Sequence, residues 1–184
     1  MAGLIADLFI SLDGFAAADK AGPFFGYGGK ELDEWIRTES TGPQVMVMGR
    51  VTYELMAAMS AKTTDEASTT MNKTPKVVVS NSLTEPLNWQ NSRLLSGDLA
   101  TGMAALKQES RVPLRTIGSI SLLRSLTNLG LVDRLRLMVF PLTVGPDGHE
   151  PALAGYLRTG LDLAGTTVLD SRIVLLEYRP APAG

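Results

Sequence analysis

Residues 4–10 form an almost unbroken apolar run of strand length, interrupted only at Asp7, and such a run fits a strand covered on both faces. The same signature recurs at residues 45–48 and 76–79, with shorter β-prone pieces at 93–95 and 114–117. Helical periods lie between them. Leu32, Trp35 and Ile36 fall at i, i+3 and i+4 and predict a short helix ending near Thr38, before the break Thr41-Gly42-Pro43. Val51, Leu55 and Met59 predict a second helix, and Leu99, Met103 and Leu106 a third behind the cap residue Asp98. Leu122, Leu123, Leu126 and Leu129 predict a fourth, closed by Gly130 in a left-handed cap. Residues 134–140 alternate Arg134, Arg136 and Met138 against Leu135, Leu137 and Val139, the pattern of a half-exposed strand near a sheet edge. Residues 161–169 and 173–178 predict two closing strands joined around Asp170-Ser171. Residues 60–74, polar and rich in Thr, Ser and Lys, predict a mobile surface connection, and residues 144–149 a loop. The proline-rich residues 179–184 predict a disordered tail.

Strand and helix alternate, so the expected fold is a single α/β domain over residues 1–184, its sheet mostly parallel with antiparallel strands at the C-terminal edge. Ligands of such sheets bind beyond the carboxyl ends of the strands, which sets Asp13, Arg50, Ser80 and Gly118-Ser119 along one rim. Two of these strands end in a glycine that opens a helix: Gly49-Arg50-Val51-Thr52 and Gly118-Ser119-Ile120-Ser121. A helix start presents unpaired N–H groups and a partial positive charge, and glycine lets a phosphate approach them. Taken alone, Gly118-Ser119 reads either as an anion site or as a plain connector with Ser119 or Ser121 as N-cap. Residues 22–29 form a glycine-rich loop carrying Phe24, Phe25 and Tyr27. Those rings either pack onto the core or cover an apolar ligand or a dimer partner.

Composition narrows the chemistry. The 184 residues carry a net charge of -2 with no basic run, which argues against a nucleic-acid partner and for small molecules or a second copy of the chain. There is no cysteine, hence no disulfide, thiolate metal site or cysteine nucleophile. The N-terminal residues lack a basic leader, and Asp7 and Asp13 interrupt the apolar run, so neither signal peptide nor membrane span is expected and a cytoplasmic location is the default. No glycine-lysine phosphate loop, nucleophile elbow or complete Gly-x-Gly-x-x-Gly fingerprint is present. The single histidine, His149, reads as a solvated loop residue or a base, and with no cysteine it does not make a zinc site. Of the carboxylates near the rim, Asp13 and Asp33 are the candidates for a proton relay or substrate anchor, whereas Glu31 and Glu34 read as solvated helix residues.

Met-Gly-Arg-Val-Thr-Tyr-Glu at 48–54, Val-Val-Val-Ser at 77–80 and the Ile-Gly-Ser turn at 117–119 resemble, in order and spacing, the cofactor-binding segments of dihydrofolate reductases. Ser-Leu-Asp-Gly at 11–14 and Gly-Leu-Val-Asp-Arg-Leu-Arg-Leu at 130–137 are more similar to the reductase domain of bifunctional riboflavin-biosynthesis proteins. The resemblance implies a three-layer dihydrofolate reductase-like fold, an NADPH-dependent hydride transfer to a pterin, folate or riboflavin-pathway pyrimidine, and a homodimer. It implies that Gly49, Arg50 and Thr52 at one helix start and Gly118, Ser119, Ile120 and Ser121 at the other hold the cofactor's diphosphate and adenosine side, and that Ser80 and Asn81 stand at the strand end that holds the adenine ribose and its 2′-phosphate. Phe9, Ala16 and Ala17 would border the nicotinamide. It ranks Asp13 above Asp33 as the substrate-related acid. Asn81 stands where relatives often carry an arginine, and it brings no charge to a 2′-phosphate, which leaves NADH open beside NADPH. A nucleotide-binding or dimer-forming protein without turnover is the alternative reading.

Overall fold

The structure, a computed structural model, describes residues 1–181. In chain order its elements are β1 (Leu4–Ser11), β2 (Phe15–Ala18), α1 (Lys30–Thr41), β3 (Val45–Gly49), α2 (Arg50–Ser60), α3 (Glu66–Lys73), β4 (Lys76–Val79), β5 (Ser92–Leu95), α4 (Leu99–Glu109), β6 (Leu114–Thr116), α5 (Ile120–Asn128), β7 (Arg134–Phe140), β8 (Gly148–Pro151), β9 (Leu161–Leu169) and β10 (Ile173–Pro180). Eight strands make one sheet in the order β5-β4-β3-β6-β1-β7-β10-β9, and β2 pairs with β8 separately. The pairs from β5 to β7 are parallel, and β10 and β9 add antiparallel to them. This is the expected mostly parallel α/β sheet.

Period-2 alternation along β1 sorts its side chains into two layers. Leu4, Ala6, Leu8 and Ile10 are buried with Met103 and Leu106 of α4 and Leu122, Leu123 and Leu126 of α5. On the opposite face Phe9 joins Leu32 of α1, Phe140 and Ile173, while Tyr53 of α2 packs with Met46, Met48 and Trp89. The rings of the glycine-rich loop belong to this second layer: Phe24, Phe25 and Tyr27 stand 6.2, 5.6 and 5.8 Å from the Phe140 ring, and the Tyr27 hydroxyl donates to the Pro141 carbonyl. They pack onto the core.

Several expectations change. β7 is no edge strand; it lies between β1 and β10, with Arg136 buried. The alternating arginine faces its register partner Asp7 and bonds it in a two-pronged contact, 2.6 and 3.0 Å, and Arg115 of β6 bonds the same carboxylate. Glu39 of α1 accepts from Arg136, and the Trp35 ring lies under both guanidinium groups. A buried ion cluster therefore occupies the middle of a sheet face, and opposite charges on neighbouring strands satisfy one another there. Both edges of β7 are paired, so residues 134–140, whose exposed alternation together with the family resemblance suggests a dimer contact, offer no open strand edge to a second copy; the edge strands of the large sheet are β5 and β9. Residues 60–74 contain a helix, α3, whose Asp65 N-cap accepts from the Ser68 amide at 2.7 Å and whose Met71 supplies the apolar anchor. The helix ends over Lys76, a fully buried ammonium that donates to the carbonyls of Met71 and Thr74 at 2.7 and 2.6 Å. His149 sits in β8 opposite Ala17, and Arg179 and Pro180 extend β10 against Asp162 and Leu161. The rest of the expected tail, residues 182–184, lies outside the described residues.

Candidate active site

The short strand β6 shapes the site. Its ladder with β1 stops at the pair Ala6↔Thr116, and its ladder with β3 stops at Val47↔Thr116. The Asp7 amide still donates to the Thr116 hydroxyl, but beyond it the β6-facing edge of Leu8 and Phe9 has no strand partner, and the chain from β6 turns at Gly118-Ser119 into α5. The gap becomes a cleft of about 640 Å³, floored by the end of β1 and walled by the first turns of α2 and α5. A neighbouring hollow of about 440 Å³ continues it over Gly49, Arg50, Ser80 and Asn81, and the two share Val51, Thr52, Ser119 and Ser121. Together they form one extended groove along the carboxyl ends of β1, β3, β4 and β6.

Its midpoint is Ser119. Gly118 and Ser119 both take left-handed backbone conformations, φ 54° and 61°, which glycine adopts freely and serine only at a cost. The turn carries the Ser119 hydroxyl away from its own helix. That hydroxyl accepts from the Gly49 amide at 2.8 Å and donates to the Thr52 hydroxyl at 2.7 Å. The start of α5 is thereby tied to the start of α2, and no side chain caps either helix. A Cβ on Gly118 would stand 3.2 Å from the Thr52 methyl, so the close approach also needs glycine for space. Two uncapped helix starts, held side by side, direct backbone N–H groups and partial positive charge into one groove.

Every expected cofactor residue except Ala17 lines this groove: Phe9, Ala16, Gly118 and Ile120 in the larger part, Gly49, Arg50, Ser80 and Asn81 in the smaller, and Thr52, Ser119 and Ser121 in both. Ala17 pairs with His149 in the small sheet and lines neither. Arg50 is exposed and paired with Glu54 at 2.9 Å. Ser80 folds its hydroxyl over its own turn, accepting from the amides of Ser82 and Leu83, and Asn81 accepts from the Gly97 amide at 2.7 Å, keeping its amide N–H groups for other partners. These residues fit an elongated dinucleotide diphosphate: backbone donors at the centre and polar side chains at one end.

The two expected acids are not in the groove. Asp13 is fully exposed and accepts from the amides of Val144 and Gly145 at 3.1 and 2.9 Å. Hydrogen bonding to Ser11 and to the Gly145 and Val144 amides holds its carboxyl below the usual carboxylate range. It fastens the chain after β7 to the turn after β1. Asp33 lies on the far side of α1, lining a hollow shared with α3. The groove's own charged residues are Asp7, which is neutralised by Arg115 and Arg136, Arg50, Arg124 and Glu150. Sequence reasoning missed Arg124 and Glu150. The i, i+4 step from Ile120 to Arg124 placed Arg124 on the same face of α5, a signal that was available, whereas nothing local marked Glu150.

The family model of the RibD C-terminal domain matches residues 2–175. No match was found among curated protein sequences. Among solved structures, a protein from Shewanella sp. PV-4 named for riboflavin biosynthesis superposes with a TM-score of 0.78 at 19% identity, covering 97% of this chain and 99% of that one. A pyrimidine reductase-like protein from Corynebacterium diphtheriae superposes at 0.67 and 15% identity, covering 99% and 93%. A dihydrofolate reductase from Enterococcus faecalis, complexed with NADP(H), superposes at 0.61 and 14% identity, covering 97% and 96%. A Thermotoga maritima diaminohydroxyphosphoribosylaminopyrimidine deaminase/5-amino-6-(5-phosphoribosylamino)uracil reductase superposes at 0.67 and 12% identity, covering 98% of this chain and 57% of that one. At these identities the superpositions establish a dihydrofolate reductase-like fold, and the match over residues 2–175 establishes the family: the chain belongs to the RibD C-terminal domain family.

Proposed function

We propose that this protein is an NADPH-dependent reductase that delivers a hydride to a small heterocycle. The observation that carries the reading is the Ser119 tie, which presents two uncapped helix starts to one groove long enough for a dinucleotide. The family and the NADP(H)-bound Enterococcus faecalis neighbour support it.

In this reading the amides at the starts of α2 and α5 bind the diphosphate, with Arg50 released from Glu54 to join them. Ser80 and Asn81 hold the adenine ribose. Bound NADPH supplies the hydride. Phe9, near the end of β1, and Ala16, in β2, border the nicotinamide and set its distance from the substrate. Val51, Leu55 and Met56 form an apolar wall that bound rings would cover. Asp13 acts at one remove, by fixing the loop that leads into β8. Asp33 is too far round α1 to serve the groove, and no proton step is assigned to it.

The test is isothermal titration of the protein with NADPH and NADH. One-to-one binding of NADPH, lost in Arg50→Ala and Ser119→Trp, supports the reading; no heat with either nucleotide refutes it.

A further inference from the structure

The larger cleft has more room and more chemistry than a nicotinamide uses. One wall is apolar and open: Val51 and Leu55 are 67% and 60% exposed, values at which a large aliphatic side chain gains little until something covers it. Arg124 and Glu150 lie on other parts of the lining. Arg124 donates one N–H to the Ala154 carbonyl at 3.1 Å and has donors left over. Glu150 takes part in no ion pair among the described residues. Its backbone is left-handed, φ 59°, in a strand and immediately before Pro151, where that conformation is doubly disfavoured. The β2–β8 ladder passes over it, pairing Phe15 with Pro151 and Ala17 with His149. A strained residue that carries an unpaired carboxylate at a cleft points to a ligand contact.

The charge balance of the lining says which ligand. With Asp7 neutralised by two arginines, and with the start of α5 given to the cofactor's diphosphate in the reading above, the side chains of the cleft retain one anion, Glu150, and one cation, Arg124. A phosphate monoester, with about 1.5 to 2 negative charges, needs more than a single arginine in a cleft that also carries a free carboxylate. An uncharged ring that offers N–H groups to Glu150, a carbonyl to Arg124 and a flat face to Val51 and Leu55 matches all three features. Resting on the reductase reading above, we infer that the substrate is a non-phosphorylated amino-oxo heterocycle, and that Glu150 and Arg124 are its specificity-determining residues.

The test uses the full chain loaded with NADP⁺, which cannot reduce the ligand. It is titrated with 5-amino-6-(5-phosphoribosylamino)uracil, the same compound lacking the phosphate, and 5,6-diaminouracil. The expected result is that one or both unphosphorylated compounds bind at least about tenfold more tightly than the phosphorylated one. Glu150→Gln weakens that binding about tenfold, the loss of one charged hydrogen bond, and leaves the NADP⁺ affinity unchanged. In turnover the same variant raises KM and spares kcat. Preference for the phosphorylated compound, no binding of either unphosphorylated one, or an unaltered affinity in Glu150→Gln overturns the inference while leaving the reductase reading intact. Failure of NADP⁺ and NADPH to bind the wild-type chain overturns both.

Discussion

Replacing Ser119 by alanine removes one oxygen and cuts the link between two helices. The lost contacts are the Gly49 N–H bond at 2.8 Å and the Thr52 hydroxyl bond at 2.7 Å. Each contributes about 0.5–1.5 kcal/mol net, and the Gly49 amide, left without its acceptor, is re-bonded by water because the groove is open. The expected loss is therefore about 2 kcal/mol, and for a domain of this size it lowers Tm by about 4–8 °C. Nucleotide affinity falls with it, since the two helix starts are no longer held at one separation; the expected drop in NADPH affinity is about tenfold, or 1.4 kcal/mol. Ser119→Gly separates the tie from the backbone. Glycine takes the left-handed φ of 61° without the penalty of about 1 kcal/mol, so this variant is the more stable of the two and binds NADPH as weakly as Ser119→Ala. Differential scanning calorimetry and NADPH titration read the two effects separately. Wild-type NADPH affinity in Ser119→Ala would refute the reasoning, and so would affinity restored in Ser119→Gly, which would make strain rather than the tie the operative feature.

Asp7→Asn leaves Arg115 and Arg136 without their shared counter-charge and is expected to cost about 3–5 kcal/mol, read as a lower urea midpoint; a loss below about 1 kcal/mol would show that Glu39 and the Trp35 ring suffice. Asp170 accepts from the amides of Glu31 and Leu32 at 3.1 and 3.0 Å and so caps α1 from the β9–β10 hairpin; Asp170→Ala is expected to cost about 1 kcal/mol, with early hydrogen exchange confined to the first turn of that helix. Burial pushes the Lys76 ammonium down from 10.5 to about 8. The folded chain thus releases this proton before the unfolded chain does, the unfolded chain holds more protons between those two values, and stability rises with pH across that window by about 1–3 kcal/mol. Below pH 8 the cost is constant. Urea titrations at stepped pH should show that rise in the wild type and a flat profile in Lys76→Met; a flat wild-type profile contradicts it.

Local pattern in the sequence carried most of the fold, because apolar runs and helical periods mark buried strands and helix faces wherever neighbours are also apolar. The two glycine-opened helices were legible for the same reason, and the groove was found where they face each other. What failed depends on distant partners. The alternation of residues 134–140 suggested an edge because nothing near Arg136 reveals that Asp7, 129 positions away, neutralises it. The fourfold spacing of Val51, Leu55 and Met59 did mark a helix, yet all three are more than half exposed while Tyr53 is buried; the apolar stripe faces the cleft mouth and solvent rather than the core. α3 was hidden by its polar composition, since its order comes from the Asp65 cap and from contacts made by Asn72 to Ser60 and Trp89. Asp13 stood at the right strand end, but its carboxylate points to Val144 and Gly145, an orientation set by the loop it holds.

On the function proposed above, the groove between the starts of α2 and α5 is built for a nicotinamide dinucleotide. The most direct test is the thermal shift produced by NADPH on the wild type and on Ser119→Trp, whose indole fills the midpoint of the groove. At about 100 times its Kd the nucleotide should add about 2.7 kcal/mol, a rise of about 5–10 °C in the wild type, with no rise in the variant. An unmoved wild-type Tm at millimolar NADPH and NADH, or an equal rise in Ser119→Trp, would contradict the account.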